Sequence, residues 1–225
     1  MQKKNKILVI AAHPDDEVLG CGGSLILHKM KKDEINIVFM SNGVSSRSKK
    51  NYLEIVQRKK MASKVSKKLN IKNTFFLDFP DNELDKVSLL TITKKIENII
   101  FKIKPNLIYT HSFSDLNIDH QKTFEATLTA CRPQPKFSVK EIYSFEIPSS
   151  TGWHHYKLKR FNPNLYIDIS KTIKKKNELL KIYSKEMRKA PHARSMNGLE
   201  NLSRYRGNQV GLKNAEAFEV IRILK

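Results

Sequence analysis

The sequence predicts an α/β fold, a mostly parallel sheet with helices on both faces. Three observations carry this. The run Ile7-Leu-Val-Ile-Ala-Ala12 is apolar at every position, as in a strand buried on both faces. Apolar segments of strand length alternate with segments of helical periodicity as far as residue 145. The links between them are short, as in crossover connections.

Each element follows in order. Residues 17–31 read as a helix with Val18, Leu19, Leu25, Ile26 and Met30 on its buried side. Residues 35–40 form the second strand. Residues 51–69 form a helix with Leu53, Val56, Met61, Val65 and Leu69 at helical spacing. Residues 74–77 form the third strand, and residues 88–103 a helix that Pro105 stops. Residues 107–110 are the fourth strand, 119–130 a helix and 141–145 the fifth strand. The rhythm then changes. Residues 148–153 read as a loop and 165–169 as a short strand. Ser170 is placed to cap a helix over about 171–188, with Ile173, Leu179, Leu180, Ile182 and Tyr183 available for packing. The tail carries Arg, Asn and Gly and ends in an amphipathic stretch, 215–223. No repeat, linker or low-complexity segment interrupts the chain. The expectation is a single domain over 1–225, with the core sheet in 1–146 and with 147–225 completing the pocket.

Composition narrows the function classes. The chain has 225 residues, 40% of them hydrophobic, which excludes a disordered chain. Two cysteines, Cys21 and Cys131, do not make a disulfide framework. No apolar run approaches the roughly 20 residues of a membrane span. The basic start is followed by only six apolar residues before His13, too few for a signal peptide. A soluble, cytoplasmic protein is expected. Against 22 Asp plus Glu stand 42 Lys plus Arg, a net charge of +20. Lysine supplies 33 of these cations and arginine 9, whereas base and phosphate recognition favours arginine. With no nucleic-acid-binding signature visible, no nucleic-acid partner is expected. The charge reads as codon bias or, failing that, as a match to a phosphorylated substrate, a membrane surface or RNA.

Two clusters carry chemistry. His13-Pro-Asp15-Asp16-Glu17 stands where a buried strand ends and a helix begins, the edge at which open parallel sheets bind ligands. His13 and Asp16 can face one point and offer a metal an imidazole nitrogen and a carboxylate oxygen. Asp15, between them, is free to accept a proton from a metal-bound water. Helix capping is the plain alternative. It accounts for one aspartate at a helix start but not for a histidine beside two acids. Gly20-Cys-Gly-Gly23 lacks dinucleotide-fingerprint spacing and suits close helix–sheet packing, with Cys21 a small buried hydrophobe. The second cluster, His111 to His120, follows the fourth strand. His120 opens the next helix as a third ligand, and three protein ligands with one open position is the catalytic zinc pattern. Asp119 or Asp115 is placed to support a ligand histidine from behind. His28, inside a helix, reads as structural.

Ala12-His-Pro-Asp-Asp-Glu17 after an apolar strand, with Asp119-His120 at a later helix start, resembles the PIG-L/LmbE-like zinc de-N-acetylases. The likeness extends through Ser41-Asn-Gly-Val-Ser-Ser-Arg47, Pro80-Asp81-Asn82, Pro191-His-Ala-Arg-Ser195, Arg206-Gly207 and Ala215-Glu-Ala-Phe218. It implies a Rossmann-like sheet and hydrolysis of an N-acetyl group from an N-acetylglucosamine-type sugar. It places one zinc ion on His13, Asp16 and His120, with Asp15 as general base. Arg47, Asp81 and His192 become substrate-binding candidates. His154, His155 and Trp153 could form a sugar-stacking rim. One departure stands out. Where several bacterial relatives carry His-Pro-Asp-His, this chain has Asn117, which can donate to an oxyanion but cannot act as a general acid. The amine proton would then come from Asp15 acting twice, or from His111 or His192. The substrate is a free or carrier-linked amino sugar. A zinc amidase for another acyl group, or a non-catalytic basic module, remains the alternative, and a homo-oligomer stays open.

Overall fold

The computed structural model describes residues 4–46, 52–135, 137–153 and 159–225. Arg47, His154 and His155 lie outside the described residues, so the roles expected of them have no structural counterpart. Seven strands form one sheet: β1 (Lys6–Ala11), β2 (Glu34–Ser41), β3 (Asn73–Phe79), β4 (Leu107–His111), β5 (Glu141–Phe145), β6 (Leu165–Asp168) and β7 (Ala215–Ile223). Their order is β3-β2-β1-β4-β5-β7-β6. β1 to β5 are mutually parallel, and β7 runs antiparallel to both its neighbours. The helices are α1 (Asp16–Met30), α2 (Tyr52–Leu69), α3 (Leu89–Ile103), α4 (Ile118–Ala130), α5 (Ile173–Ile182) and α6 (Met196–Asn208).

The unbroken apolar run of β1 follows from this layering. Ile7, Val9 and Ala11 face one core with side chains of α1, α2 and α5, and Leu8 and Ile10 face a second core with α3 and α4. After β1 the chain builds outward to β2 and β3. It then returns to lay β4 on the other side of β1. The segments leaving β1 and β4 therefore diverge, and the crevice between them is where a sheet of this topology holds its ligand.

Several expectations change. Leu53, expected on the buried stripe of α2, is 69% exposed. The buried stripe is Arg58, Ala62, Val65 and Leu69. The predicted helix over 171–188 is shorter. It starts beyond Thr172, whose side chain makes no capping bond, and Ser170 hydrogen-bonds Asn214 instead. The sheet does not end at residue 146, because the C-terminal part inserts β7 between β5 and β6. α6 has no counterpart in the sequence reading.

The Gly20–Gly23 stretch does allow close packing. A Cβ on Gly20 would lie 2.3 Å from the Phe145 ring, and one on Gly23 would lie 2.7 Å from Ile169. α1 is also broken here, with Cys21 at φ −141° and ψ 18°. Both cysteines are free and buried. His28 is structural as expected, bonded through Nδ1 to Asp33 (2.8 Å) and through Nε2 to Tyr109 (3.0 Å).

Candidate metal centre and active site

β1 ends at Ala11, and its direction carries His13 into the crevice. The turn that follows places Asp16 at the first position of α1. β4 ends at His111, and the loop beyond it leads to α4, whose third residue is His120. Three donor atoms converge. His13 Nδ1 lies 3.3 Å from Asp16 Oδ2 and 3.3 Å from His120 Nε2, and His120 Nε2 lies 3.4 Å from Asp16 Oδ2. Tetrahedral zinc with bonds of about 2.0–2.1 Å places its ligand atoms about 3.3–3.4 Å apart. The near-equilateral triangle therefore fits such an ion, with the fourth vertex left to water or substrate. All three residues are buried.

Both histidines of the triangle are held from behind. His13 Nε2 donates to Asp119 Oδ2 (3.1 Å) and approaches Asp81 Oδ1 (3.3 Å). His120 Nδ1 pairs with Asp115 Oδ2 (3.0 Å). Such carboxylates fix the ring and raise its basicity toward a metal. Asp119 is itself held by the amides of Asn82 and Leu84, and Asp115 by Ser150 and Thr151. Burial lowers the pKa of His13, but hydrogen bonds to Asp119, Asp16 and Asp81 outweigh it and raise the net value well above the ordinary one. Burial likewise opposes protonation of His120, yet Asp115 and Asp16 raise it to about 9. Asp16 is held well below the usual carboxylate range. Its burial, which acts the other way, is overcome by the imidazoles of His120 and His111.

Asp15 stands outside the triangle. Its φ of 128° is a conformation that an L residue adopts only where its surroundings impose it. The surroundings here are extensive. Its N–H donates to Glu17 Oε2 (2.9 Å), and its carbonyl accepts from Val18 and Leu19. Arg194 Nη1 donates to Oδ2 (3.2 Å), while Arg58 Nη2 forms an ion pair with Oδ1 (3.0 Å). No hydrogen-bond donor is aligned on Oδ1 among the described residues. That oxygen is itself buried, with the Arg58 guanidinium as its charge partner. Arg58 is fully buried, donates through Nε to the Pro14 carbonyl (2.6 Å) and pairs on its far side with Glu186. Glu17, buried beneath, has its carboxyl pushed by that burial up to about 8 and accepts from the Tyr183 hydroxyl (2.7 Å).

Some candidates take other places. Asn117 caps α4. Its Oδ1 accepts from the amides of Asp119 (2.8 Å) and His120 (3.3 Å), and its Nδ2 donates to Asn82 (3.0 Å). The cap takes its oxygen and Asn82 takes one of its two Nδ2 hydrogens, which leaves the second for the donor role expected from the sequence. Asp81, expected to bind substrate, backs His13, and its oxygens also accept from Ser41 and Ser46. His111 is buried and stacked on His120 at 3.9 Å, and its Nε2 accepts the Ala12 N–H (2.8 Å). Burial and His120 push its pKa down to about 4, which ill suits it to deliver a proton. His192 is half-buried, with its Nδ1 accepting from the Arg194 amide and its ring edge-on to Trp153. Beside the site lies a cavity of about 740 Å³ lined by Asn42, Ser45, Ser46, Asp81, Asn82 and Glu83.

The sequence reading missed Arg58 and Arg194. Arg58 did leave a signal, since it shares the core stripe with Ala62, Val65 and Leu69, where a cation needs a buried partner. Arg194 lies in the Pro191-His-Ala-Arg-Ser195 stretch that shares the family likeness, but only the fold brings it to a carboxylate 179 residues away.

Comparison with known proteins follows the same lines. Residues 8–131 match the family described as PIG-L, GlcNAc-PI de-N-acetylase. The chain is 31% identical over 153 residues to the uncharacterized deacetylase YaiS of Escherichia coli (strain K12), which covers 66% of this chain and 77% of that protein. The conserved protein TT1542 of Thermus thermophilus superposes with a TM-score of 0.79 at 22% identity, over 98% of this chain and 96% of that one. N,N'-diacetylchitobiose deacetylase of Pyrococcus horikoshii gives 0.78 at 19% identity, over 98% and 85%. At these identities the two structures speak to the fold alone.

Proposed function

The chain belongs to the PIG-L family of de-N-acetylases, and from that premise we propose that it is a zinc-dependent hydrolase removing the N-acetyl group from an N-acetylglucosamine-type sugar. The observation that carries the reading is the triangle of His13, Asp16 and His120 with Asp15 poised outside it. Family relatives described as deacetylases support an amide as the bond attacked. The polar lining of the adjacent cavity, amides and hydroxyls from Asn42, Ser45, Ser46 and Asn82, suits the hydroxyls of a sugar ring.

A zinc ion held by His13, Asp16 and His120 would supply Lewis-acid polarisation of the amide and acidify the attacking water. The protein's own residues do the rest. Asp15 accepts the water proton as the carbonyl is attacked. Arg58 and Arg194 fix that carboxylate in place, and the strained backbone at Asp15 aims it. Asp15 then returns the proton to the nitrogen, releasing acetate and a free amine. His192, two residues from Arg194, is a substrate contact in this reading, and Arg47 is assigned the same role from the sequence alone.

Acetate release by the zinc-loaded protein tests the proposal. The panel comprises free, nucleotide-linked and lipid-linked N-acetylglucosamine and a simple glycoside, so that the member turned over identifies the carrier. Asp15→Asn is the control. Release from one member, reduced by about 100-fold or more in Asp15→Asn while zinc is retained, is the expected result. Asp15→Asn turning over at the native rate would sink the assignment. Zinc-bound protein inert on the whole panel would point to another acyl amide.

A further inference from the structure

We propose that the outer face formed by α2 and α5 is a docking surface for a bilayer rich in anionic lipid. The two helices pack against the same side of the sheet and touch one another, with Lys185, just past α5, donating to Gln57 of α2 (2.5 Å). α2 exposes Lys60, Lys64, Lys67 and Lys68, spaced as one helical stripe, while its opposite side is buried. Lys174, Lys175 and Lys181 of α5, with Lys185 beyond it, add four more exposed cations. The acids exposed on these two helices are Glu54 and Glu178.

None of the eight lysines forms an ion pair among the described residues. On the other side of the sheet Lys122 pairs with Glu125 (2.8 Å) and Arg132, just past α4, with Glu97 (3.6 Å), while Lys94, Lys95 and Lys102 of α3 are exposed without an ion pair among the described residues. Lys60 and Lys64, and Lys64 and Lys68, are like charges one helical turn apart, an arrangement that weakens a helix and gains only when an anionic partner covers it. What sets the α2–α5 face apart is density, with eight exposed lysines on and just past its two helices against three on α3 and none on α4.

The chemistry of the face selects the partner. Neither helix exposes an arginine, since Arg58 is buried against Asp15. Nucleic-acid surfaces use arginine forks and rows of stacking aromatics, whereas a layer of lipid headgroups asks only for point charges. Apolar side chains flank the lysine field. Tyr52 (75% exposed) and Leu53 begin α2. At the other end Met30 (59% exposed) borders a groove of about 310 Å³ between α1, α2 and α5, floored by Ile26, Leu69 and Leu179. Lysines around a few exposed apolar side chains are what an interfacial contact requires.

Co-sedimentation of the zinc-loaded full chain with vesicles tests this. Vesicles one-third phosphatidylglycerol in phosphatidylcholine should retain the protein at ~0.1 M salt and release it at ~1 M, and pure phosphatidylcholine should not bind it. The variant Lys64→Glu/Lys67→Glu/Lys174→Glu/Lys181→Glu should bind at least about 100-fold more weakly. Lys94→Glu/Lys95→Glu/Lys102→Glu/Lys140→Glu, on the other side of the molecule, carries the same charge change and should stay within about fivefold of the native chain. Circular dichroism checks that both variants fold. Failure of the native chain to bind anionic vesicles overturns the proposal, as does equal loss in both variants. So does tight binding of duplex RNA by the α2–α5 face under conditions in which vesicles are ignored.

Discussion

Lys176 and Glu216 form a buried ion pair (Nζ–Oε1, 2.7 Å) across the break in α1. The break strands backbone groups on both sides of Cys21, and the pair satisfies them. Lys176 Nζ donates to the Leu19 carbonyl (3.0 Å), while Glu216 accepts from the amides of Gly23 and Ser24 (2.7 Å each) and from the Ser24 hydroxyl (2.6 Å). One residue comes from α5 and the other from β7, so the C-terminal part of the chain holds the helix that begins with Asp16.

Removing one partner leaves a buried charge alone. Lys176→Met should therefore destabilise the protein by about 3–5 kcal/mol. Lys176→Met/Glu216→Gln should cost less than the sum of the single changes, because neither buried charge is then left unpaired. Urea unfolding of the three variants measures this. Additive costs would mean that the two side chains act independently.

Arg58 and Arg194 both hold Asp15, but with different consequences. Arg58 is buried between Asp15, Glu186 and the Pro14 carbonyl, so Arg58→Met takes the buried cation away from two buried carboxylates and should cost about 3–5 kcal/mol in stability. The Arg194 side chain is 19% exposed and bonds Ser149 as well. Arg194→Gln should lower stability by less than about 1 kcal/mol. Its effect belongs in turnover, where a misplaced base costs on the order of 100-fold. Thermal unfolding beside acetate release separates the two, and a strongly destabilised Arg194→Gln with normal turnover per folded molecule would reverse the assignment.

How much of this was legible in the sequence depends on range. β1 and the residues after it were readable because an all-apolar run must be a strand buried on both sides, and ionisable residues directly beyond it must be at its edge. His120 was readable from its position at a helix start after another such strand. β7 was not. Ala215 to Ile223 pairs with β5 and β6, and only those partners decide between strand and helix for a short amphipathic stretch. α6 contains Gly198, Asn201 and Gly207, poor helix formers. It is fixed by the Ser195 cap on Gly198 (3.0 Å) and by a contact at Gly207 so close that a Cβ there would lie 2.5 Å from the Leu212 carbonyl oxygen. The capping role of Asn117 was not legible because the residue was weighed only as a donor, whereas the cap uses its oxygen to accept from the amides of Asp119 and His120.

Metal binding should release protons. Without metal, the carboxylates behind His13 and His120 favour the imidazolium forms, His120 up to about 9 and His13 well above its ordinary value. A metal takes only the neutral ring. Zinc affinity should therefore rise with pH from 6 through 8, and the binding enthalpy should vary with the ionisation enthalpy of the buffer. Replacing Asp115 with Asn lowers the basicity of His120 and should flatten this dependence while weakening affinity by about 10- to 100-fold. Titration against a competing chelator at several pH values measures both, and a pH-independent affinity would contradict imidazolium forms of His13 and His120 in the metal-free site.

His28 supplies a pH dependence away from the site. Its ring is buried between Asp33 and Tyr109, and burial outweighs the opposing effect of Asp33, so its pKa lies below the ordinary 6.5. The unfolded chain then binds a proton that the folded chain refuses. Stability from this group is complete above pH 6.5 and is lost as the pH falls toward the folded pKa, with a slope of at most about 1.4 kcal/mol per pH unit. His28→Gln removes the titration, so the loss of stability between pH 6.5 and pH 5 should be smaller in the variant than in the native chain. The variant gives up the bond to Asp33 or to Tyr109, which lowers stability at pH 7.5 by about 1–3 kcal/mol and sets the offset between the two curves. Urea midpoints across this range measure the slope directly, and parallel curves would show that His28 keeps its ordinary pKa in the fold.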